Sequence, residues 1–118
     1  MKIAVVGLGY VGLPLCLQFA RAGVDVLGLD VDQQKVDALM AGKSYIKHIE
    51  SAEIAEPVNA GKLKATVDFS RIKESEAIII CVPTPLNKNR EPDISYIVDT
   101  GKSIAPHMAK GCLVVLES

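Results

Sequence analysis

Gly7-Leu8-Gly9-Tyr10-Val11-Gly12 is a complete G-x-G-x-x-G. Glycine is common, so the bare pattern says little, and its setting gives it meaning. An apolar run, Ile3-Ala4-Val5-Val6, leads into it, a segment of helical period leads out, and a second apolar run follows within about 30 residues. In such a strand-turn-helix unit each glycine has its own task. Gly7 permits the tight turn, Gly9 lets the backbone approach a diphosphate, and Gly12 allows close packing of helix on strand. The helix N-terminus then offers free N–H groups and about half a positive charge to an anion. These residue types at this spacing imply a dinucleotide site rather than a plain turn.

Asp30 closes the second apolar run. A carboxylate there accepts hydrogen bonds from the adenosine ribose hydroxyls and repels a 2′-phosphate, which selects NAD over NADP. The alternative is a helix-capping Asp, but Asp32 already fills that role. Lys35 stands one turn into the next helix, where it reaches the adenosine edge or sits in solvent. Cys81-Val82-Pro83-Thr84-Pro85 leaves the fourth apolar run at its carboxyl end, where doubly wound sheets bind ligands. Two prolines stiffen that loop, and Thr84 is its polar group, facing the cofactor or capping the loop itself. Cys81 has no adjacent His or Lys, so it reads as a buried strand thiol and not as a nucleophile. His48 and His107 lack partners at metal or catalytic spacing and read as surface residues. Glu50, Glu53 and Glu56 fit a solvated helix face better than a metal site. No zinc, P-loop or Ser-His-Asp signature is present.

The elements that must position these groups are short apolar runs alternating with helical periods. Strands are expected at Lys2 to Val6, Val24 to Leu29, Lys64 to Val67, Ala77 to Val82 and Cys112 to Leu116. The second, fourth and fifth are continuously apolar, as in a parallel sheet covered on both faces. A first helix is expected from Tyr10, as N-cap, to Ala22. It carries one stripe of Val11, Leu15 and Phe19 beside another of Gly12, Cys16 and Ala20. Asp32 caps a second helix with Val36, Leu39 and Met40 on one face and Gly42 as its stop. Ser51 to Ala60 holds a short helix limited by Pro57. A late helix begins after Pro92 with Asp93 as cap, buries Ile97, Gly101, Ile104 and Met108, and ends by Pro106 and Gly111. The resulting β-α-β-(α)-β-α-β-α-β pattern predicts an α/β, doubly wound parallel sheet with right-handed crossovers and strand order 3-2-1-4-5.

Composition narrows the function classes. The chain has 118 residues, 49% of them hydrophobic and 23% charged, as expected for one globular domain and not for a disordered segment. Lys and Arg number 13 against 14 Asp and Glu, a net charge of -1, so nothing favours nucleic acid as a partner. The longest apolar run, Ala77 to Val82, is far short of the roughly 20 residues of a membrane helix. Three widely spaced cysteines, Cys16, Cys81 and Cys112, without any CxxC, fit reduced core thiols, and a cytoplasmic location is expected.

Taken together, Lys2 to Leu15, the strand end at Asp30, and Ile80-Cys81-Val82-Pro83-Thr84-Pro85-Leu86 closely resemble the UDP-glucose/GDP-mannose dehydrogenase family. The resemblance spans essentially the whole chain, as that family's N-terminal NAD-binding domain. Asn87 to Tyr96 is most similar to the UDP-N-acetylglucosamine (and N-acetylmannosamine) 6-dehydrogenase branch. The resemblance implies NAD contacts at Val11, Asp30, Lys35 and Thr84, beside Gly7, Gly9 and Gly12, and Tyr10 of the same turn is expected among the cofactor-binding residues. It implies a parent enzyme of nucleotide-sugar metabolism and polysaccharide biosynthesis that oxidises the C6 alcohol of a UDP-sugar to a carboxylate. In that family two hydrides pass to two NAD molecules, and a cysteine holds the intermediate. None of Cys16, Cys81 or Cys112 matches that nucleophile's motif, so residues 1–118 are expected to be an incomplete Rossmann domain, cut after strand five and inactive alone. The competing readings are a stand-alone NAD-binding or redox-sensing module acting through a partner protein, and another two-domain dehydrogenase. The strand-five run, Leu113-Val114-Val115-Leu116, has no proline or inward charge to blunt a sheet edge, so a homo-oligomer through that edge is expected.

Overall fold

The computed structural model describes residues 2–83, 85–86 and 88–117. Five strands, β1 (Lys2–Val6), β2 (Asp25–Leu29), β3 (Leu63–Thr66), β4 (Ala77–Ile80) and β5 (Leu113–Leu116), pair in parallel in the order β3-β2-β1-β4-β5. This is the expected doubly wound, Rossmann-type sheet. β1 is central, with Val5 in register between Gly28 of β2 and Ile79 of β4.

Side chains alternate across the strands, so the core divides in two. On one face Ile3, Val5, Val26, Leu63 and Ala65 meet α1 (Gly12–Arg21), α2 (Gln33–Met40) and α3 (Ser51–Asn59). On the other, Ala4, Val6, Leu27, Leu29, Ile78 and Ile80 meet Ile72 and Ile104, the latter closing α4 (Ser95–Ile104). Ile72 belongs to a 3-10 turn, Phe69–Glu74, where the pattern predicted an α-helix between β3 and β4. The connection is too short for one. Asp68 instead starts the tighter turn by accepting from the Ser70 N–H at 3.0 Å and its hydroxyl at 2.6 Å.

Several local expectations change. α1 starts at Gly12 with Val11 as N-cap, so Tyr10 lies outside it and Pro14 falls in the first turn, where no intrahelical N–H is needed. Its buried face is Gly12, Leu13, Cys16, Leu17 and Ala20, while Val11 is exposed and Leu15 and Phe19 are half-buried. The close approach at Gly12 decides this, because it presses that side of the helix onto the turn. α2 keeps its Asp32 cap, with Oδ1 accepting from the Gln34 N–H at 2.9 Å, but Met40 is exposed. Its sulfur instead accepts from the Ala65 N–H of edge strand β3. α3 runs through Pro57, and the Glu53 carboxylate accepts from the Glu50 N–H at 2.8 Å to close its first turn. In α4 the buried residues are Thr100 and Ile104; Ile97 and Gly101 are half-buried, as is Met108, which lies beyond the helix. β4 ends at Ile80, two residues earlier than predicted, although the Cys81 N–H still reaches the Val6 carbonyl at 2.7 Å.

β5 departs most from its apolar pattern. Its four residues are 63, 41, 38 and 54% exposed, so neither face is covered as the continuous hydrophobic run predicted. It pairs with β4 alone and forms the sheet edge among the described residues. No described helix is long and apolar enough to cross a membrane.

Candidate dinucleotide site

The turn after β1 is shaped by two glycines that have no alternative. Gly7 has φ +96°, and a Cβ built there would lie 2.7 Å from the Cys81 carbonyl oxygen at the end of β4. A Cβ on Gly12 would lie 1.7 Å from the Gly7 carbonyl oxygen. The first turn of α1 therefore rests directly on the loop that precedes it.

Gly9 is different, because a Cβ built on it would meet no protein atom within 4 Å. Nothing in the folded chain requires a glycine there, and the space beside it is open. Behind it, α1 has neither a side-chain cap nor an acidic residue in its first turn. The N–H groups of Tyr10, Val11 and Gly12 meet no protein acceptor among the described residues. An uncapped helix of ten residues, with an open glycine three positions before it, can accept an anion.

Asp30 stands just past β2 and uses both carboxylate oxygens. Oδ2 accepts from the Leu8 N–H and Oδ1 from the Asp32 N–H, each at 2.9 Å. The residue expected to read a ribose thus also holds the glycine turn, and each oxygen keeps a lone pair for a further donor. Leu8 is fully buried, its side chain filling the space left by Gly28 of β2, where a Cβ would come within 2.8 Å of Leu8 Cδ2.

The groups converge on a cleft of about 390 Å³ beyond the carboxyl ends of β1 and β2, within the size range of small-molecule sites. Gly9, Tyr10, Asp32, Gln34, Lys35, Tyr45 and Ile46 line it. Lys35 is half-buried. Its Nζ lies 5.9 Å from the centroid of the Tyr45 ring, within cation–π range. Tyr10 is 74% exposed and stacks on His48, ring centroids 6.4 Å apart, a partner that sequence spacing did not suggest.

Of the residues singled out by sequence, Gly9, Tyr10 and Lys35 come together on the cleft wall. Asp30 is not on the wall itself but accepts from the N–H of Asp32, a residue that is. Gly7 and Gly12 lie beneath, shaping the turn, and Val11 caps α1 without lining the cleft. Thr84 lies outside the described residues. Cys81 sits where its strand meets the turn, half-buried and next to the first core. Burial raises the thiol pKa of all three cysteines, Cys16 most, so none is held as a thiolate. The described residues contain no group of three metal-binding side chains. Glu50, Glu53 and Glu56 are exposed, as a solvated face requires, and Glu53 pairs with Arg21 at 3.3 Å. Leu8, Gly28 and Tyr45 were not legible beforehand. A backbone carbonyl and a small residue in a strand carry no signature of residue type.

Comparison with known proteins gives the family of the fold that carries this cleft. UDP-N-acetyl-D-mannosamine dehydrogenase of Pyrococcus horikoshii is 40% identical over 100% of this chain. UDP-N-acetyl-D-glucosamine 6-dehydrogenase of Pseudomonas aeruginosa is 35% identical, also over 100%. The solved structure of the P. horikoshii UDP-D-ManNAc dehydrogenase superposes with a TM-score of 0.93 at 39% identity, over 100% of this chain and 28% of that one. The chain spans only 28% and 27% of the two curated relatives. The family model described as the NAD binding domain of UDP-glucose/GDP-mannose dehydrogenases matches residues 1–118, and the chain belongs to that family.

Proposed function

We propose that residues 1–118 bind NAD as the cofactor portion of a longer nucleotide-sugar 6-dehydrogenase, acting on the C6 alcohol of a UDP-N-acetylhexosamine. The observation that carries this reading is Gly9, open on its Cβ side three residues before the uncapped α1. In this reading Gly9 admits the diphosphate, the free N–H groups at the head of α1 hold it, and Asp30 accepts from the adenosine ribose. Tyr10, Lys35 and Tyr45 wall the cleft, and Val11 and Thr84 complete the contacts carried over from the family. When bound, NAD supplies the hydride acceptor. The names of the relatives support the substrate class, and three unpaired thiols suit the cytoplasm. Titration calorimetry is the test, with NAD expected to bind at least about tenfold more tightly than NADP, roughly 1.4 kcal/mol. Equal affinities would overturn the assignment of Asp30.

The chain by itself is expected not to oxidise a UDP-sugar. Its three thiols are all pushed toward the neutral form, and the cleft lies away from Cys16 and Cys112. NADH formed from UDP-N-acetylglucosamine, and lost in Cys81→Ser, would show that Cys81 is a nucleophile after all. A self-standing NAD-binding module would use the same cleft, but the much greater length of the relatives supports the dehydrogenase reading.

The exposed β5 edge supports association of the 118-residue chain through that strand. Unpaired N–H and C=O groups along an apolar strand are a template for a second copy, and antiparallel pairing suits a two-fold axis. Val114→Lys is expected to shift sedimentation from dimer toward monomer and to leave NAD affinity unchanged. A monomer at millimolar concentration, indifferent to that substitution, would refute the interface.

A further inference from the structure

Tyr45 comes from the segment between α2 and α3, yet its hydroxyl donates a hydrogen bond to the carbonyl of Leu8, 37 positions earlier. Leu8 is the residue between the first two glycines of the turn. Its N–H is held by Asp30, its carbonyl by Tyr45, and its side chain is sealed against Gly28. The Leu8 carbonyl belongs to the same planar amide as the Gly9 N–H. A bond that holds the carbonyl therefore fixes the plane on which Gly9 is carried. Burial, with Asp30, Cys16 and Asp32 nearby, keeps the Tyr45 hydroxyl protonated well above the ordinary tyrosine range, so it remains a donor. The ring stays at its post because Ile46 and Ile49 beside it are buried in the first core and Lys35 lies over its face.

We propose that Tyr45 is a positioning residue for the diphosphate-binding turn, setting the Leu8–Gly9 peptide through its bond to the Leu8 carbonyl. The proposal rests on the reading of this cleft as an NAD site. Tyr45 and Asp30 then divide the work: Asp30 holds the ribose end and the near side of Leu8, and Tyr45 holds the far side, where the backbone meets the diphosphate. Both side chains sit outside the G-x-G-x-x-G pattern and act on the residue that the pattern leaves free between its first two glycines.

Tyr45→Phe keeps the ring, its packing and its place under Lys35 while removing the hydroxyl. Calorimetry with NAD, ADP and adenosine separates the ends of the cofactor. The variant is expected to bind NAD and ADP about three- to tenfold more weakly, the range for one lost neutral hydrogen bond, with adenosine affinity unchanged. In the ligand-free protein the Gly9 amide nitrogen resonance is expected to move, because its own peptide carbonyl has lost a donor. Unchanged NAD affinity in the variant, an equal fall for adenosine, or an unmoved Gly9 resonance would each overturn the positioning role. If the unmutated chain binds no NAD, the cofactor reading fails and this role fails with it. If it binds NAD and the variant binds equally well, only the role of Tyr45 is lost.

Discussion

Gly12→Ala is expected to destabilise the domain by about 3 kcal/mol or more, whereas Gly9→Ala, three residues away, is expected to leave its stability intact. The built Cβ at Gly12 falls 1.7 Å from the Gly7 carbonyl oxygen. That oxygen belongs to backbone fixed by a positive φ and by contact with β4, so neither partner can give way cheaply. α1 would have to lift from the turn, opening the core around Leu13, Cys16 and Leu17. Such a loss is a large part of the roughly 5–15 kcal/mol that holds a domain together. Urea denaturation should show a lower midpoint at unchanged slope, and an unshifted midpoint would contradict the account. At Gly9 the added methyl meets no protein atom, φ is not positive, and a lower entropy of the unfolded chain even favours alanine by about 0.4–1 kcal/mol. The methyl occupies the space proposed for the diphosphate instead. Displacing that group from one charge-assisted hydrogen bond is worth about 1.5–3 kcal/mol, or a ten- to hundredfold loss of NAD affinity. A Gly9→Ala protein that is folded and still binds NAD normally would remove the main support for the cofactor reading.

Asp30→Ala is expected to weaken NAD binding by roughly ten- to a hundredfold and to narrow the preference for NAD over NADP. Removal of the carboxylate takes away the acceptor for the ribose and the negative charge that a 2′-phosphate would meet. The structure adds a second consequence. With Oδ1 and Oδ2 gone, the N–H groups of Asp32 and Leu8 lose their partners, and Leu8 is a fully buried residue. A buried donor left unsatisfied costs about 1–3 kcal/mol, so the variant should also melt lower without any ligand. Asn at position 30 retains one acceptor oxygen but turns an NH2 toward the other donor, so it should repair the defect only in part. Unchanged unliganded stability in Asp30→Ala would show that the two backbone contacts contribute little. Unchanged NAD affinity would show that the ribose is held elsewhere.

Much of this protein is determined by local pattern alone. The apolar runs are bounded by glycines and polar caps, and their alternation with helical periods permits few topologies. Right-handed crossovers with a glycine turn after β1 then lead to the order β3-β2-β1-β4-β5. The glycine turn, the carboxylate closing β2 and the Asp32 cap are likewise legible, because each depends on residue type at short range. Tertiary structure decided what depends on distance and competition. α1 carries two apolar stripes of similar strength, and the contact of Gly12 with Gly7 selected the one to bury. The apolar run of β5 reads as interior, yet its side chains are exposed on both faces and it pairs with β4 alone among the described residues, which no feature within the run encodes. Tyr45 and Asp30 reach Leu8 from 37 and 22 positions away through a carbonyl and an N–H that nearly every residue possesses. A hydrogen bond to the main chain leaves no mark on the identity of its partner, so only the fold reveals which peptide is held and by which side chains.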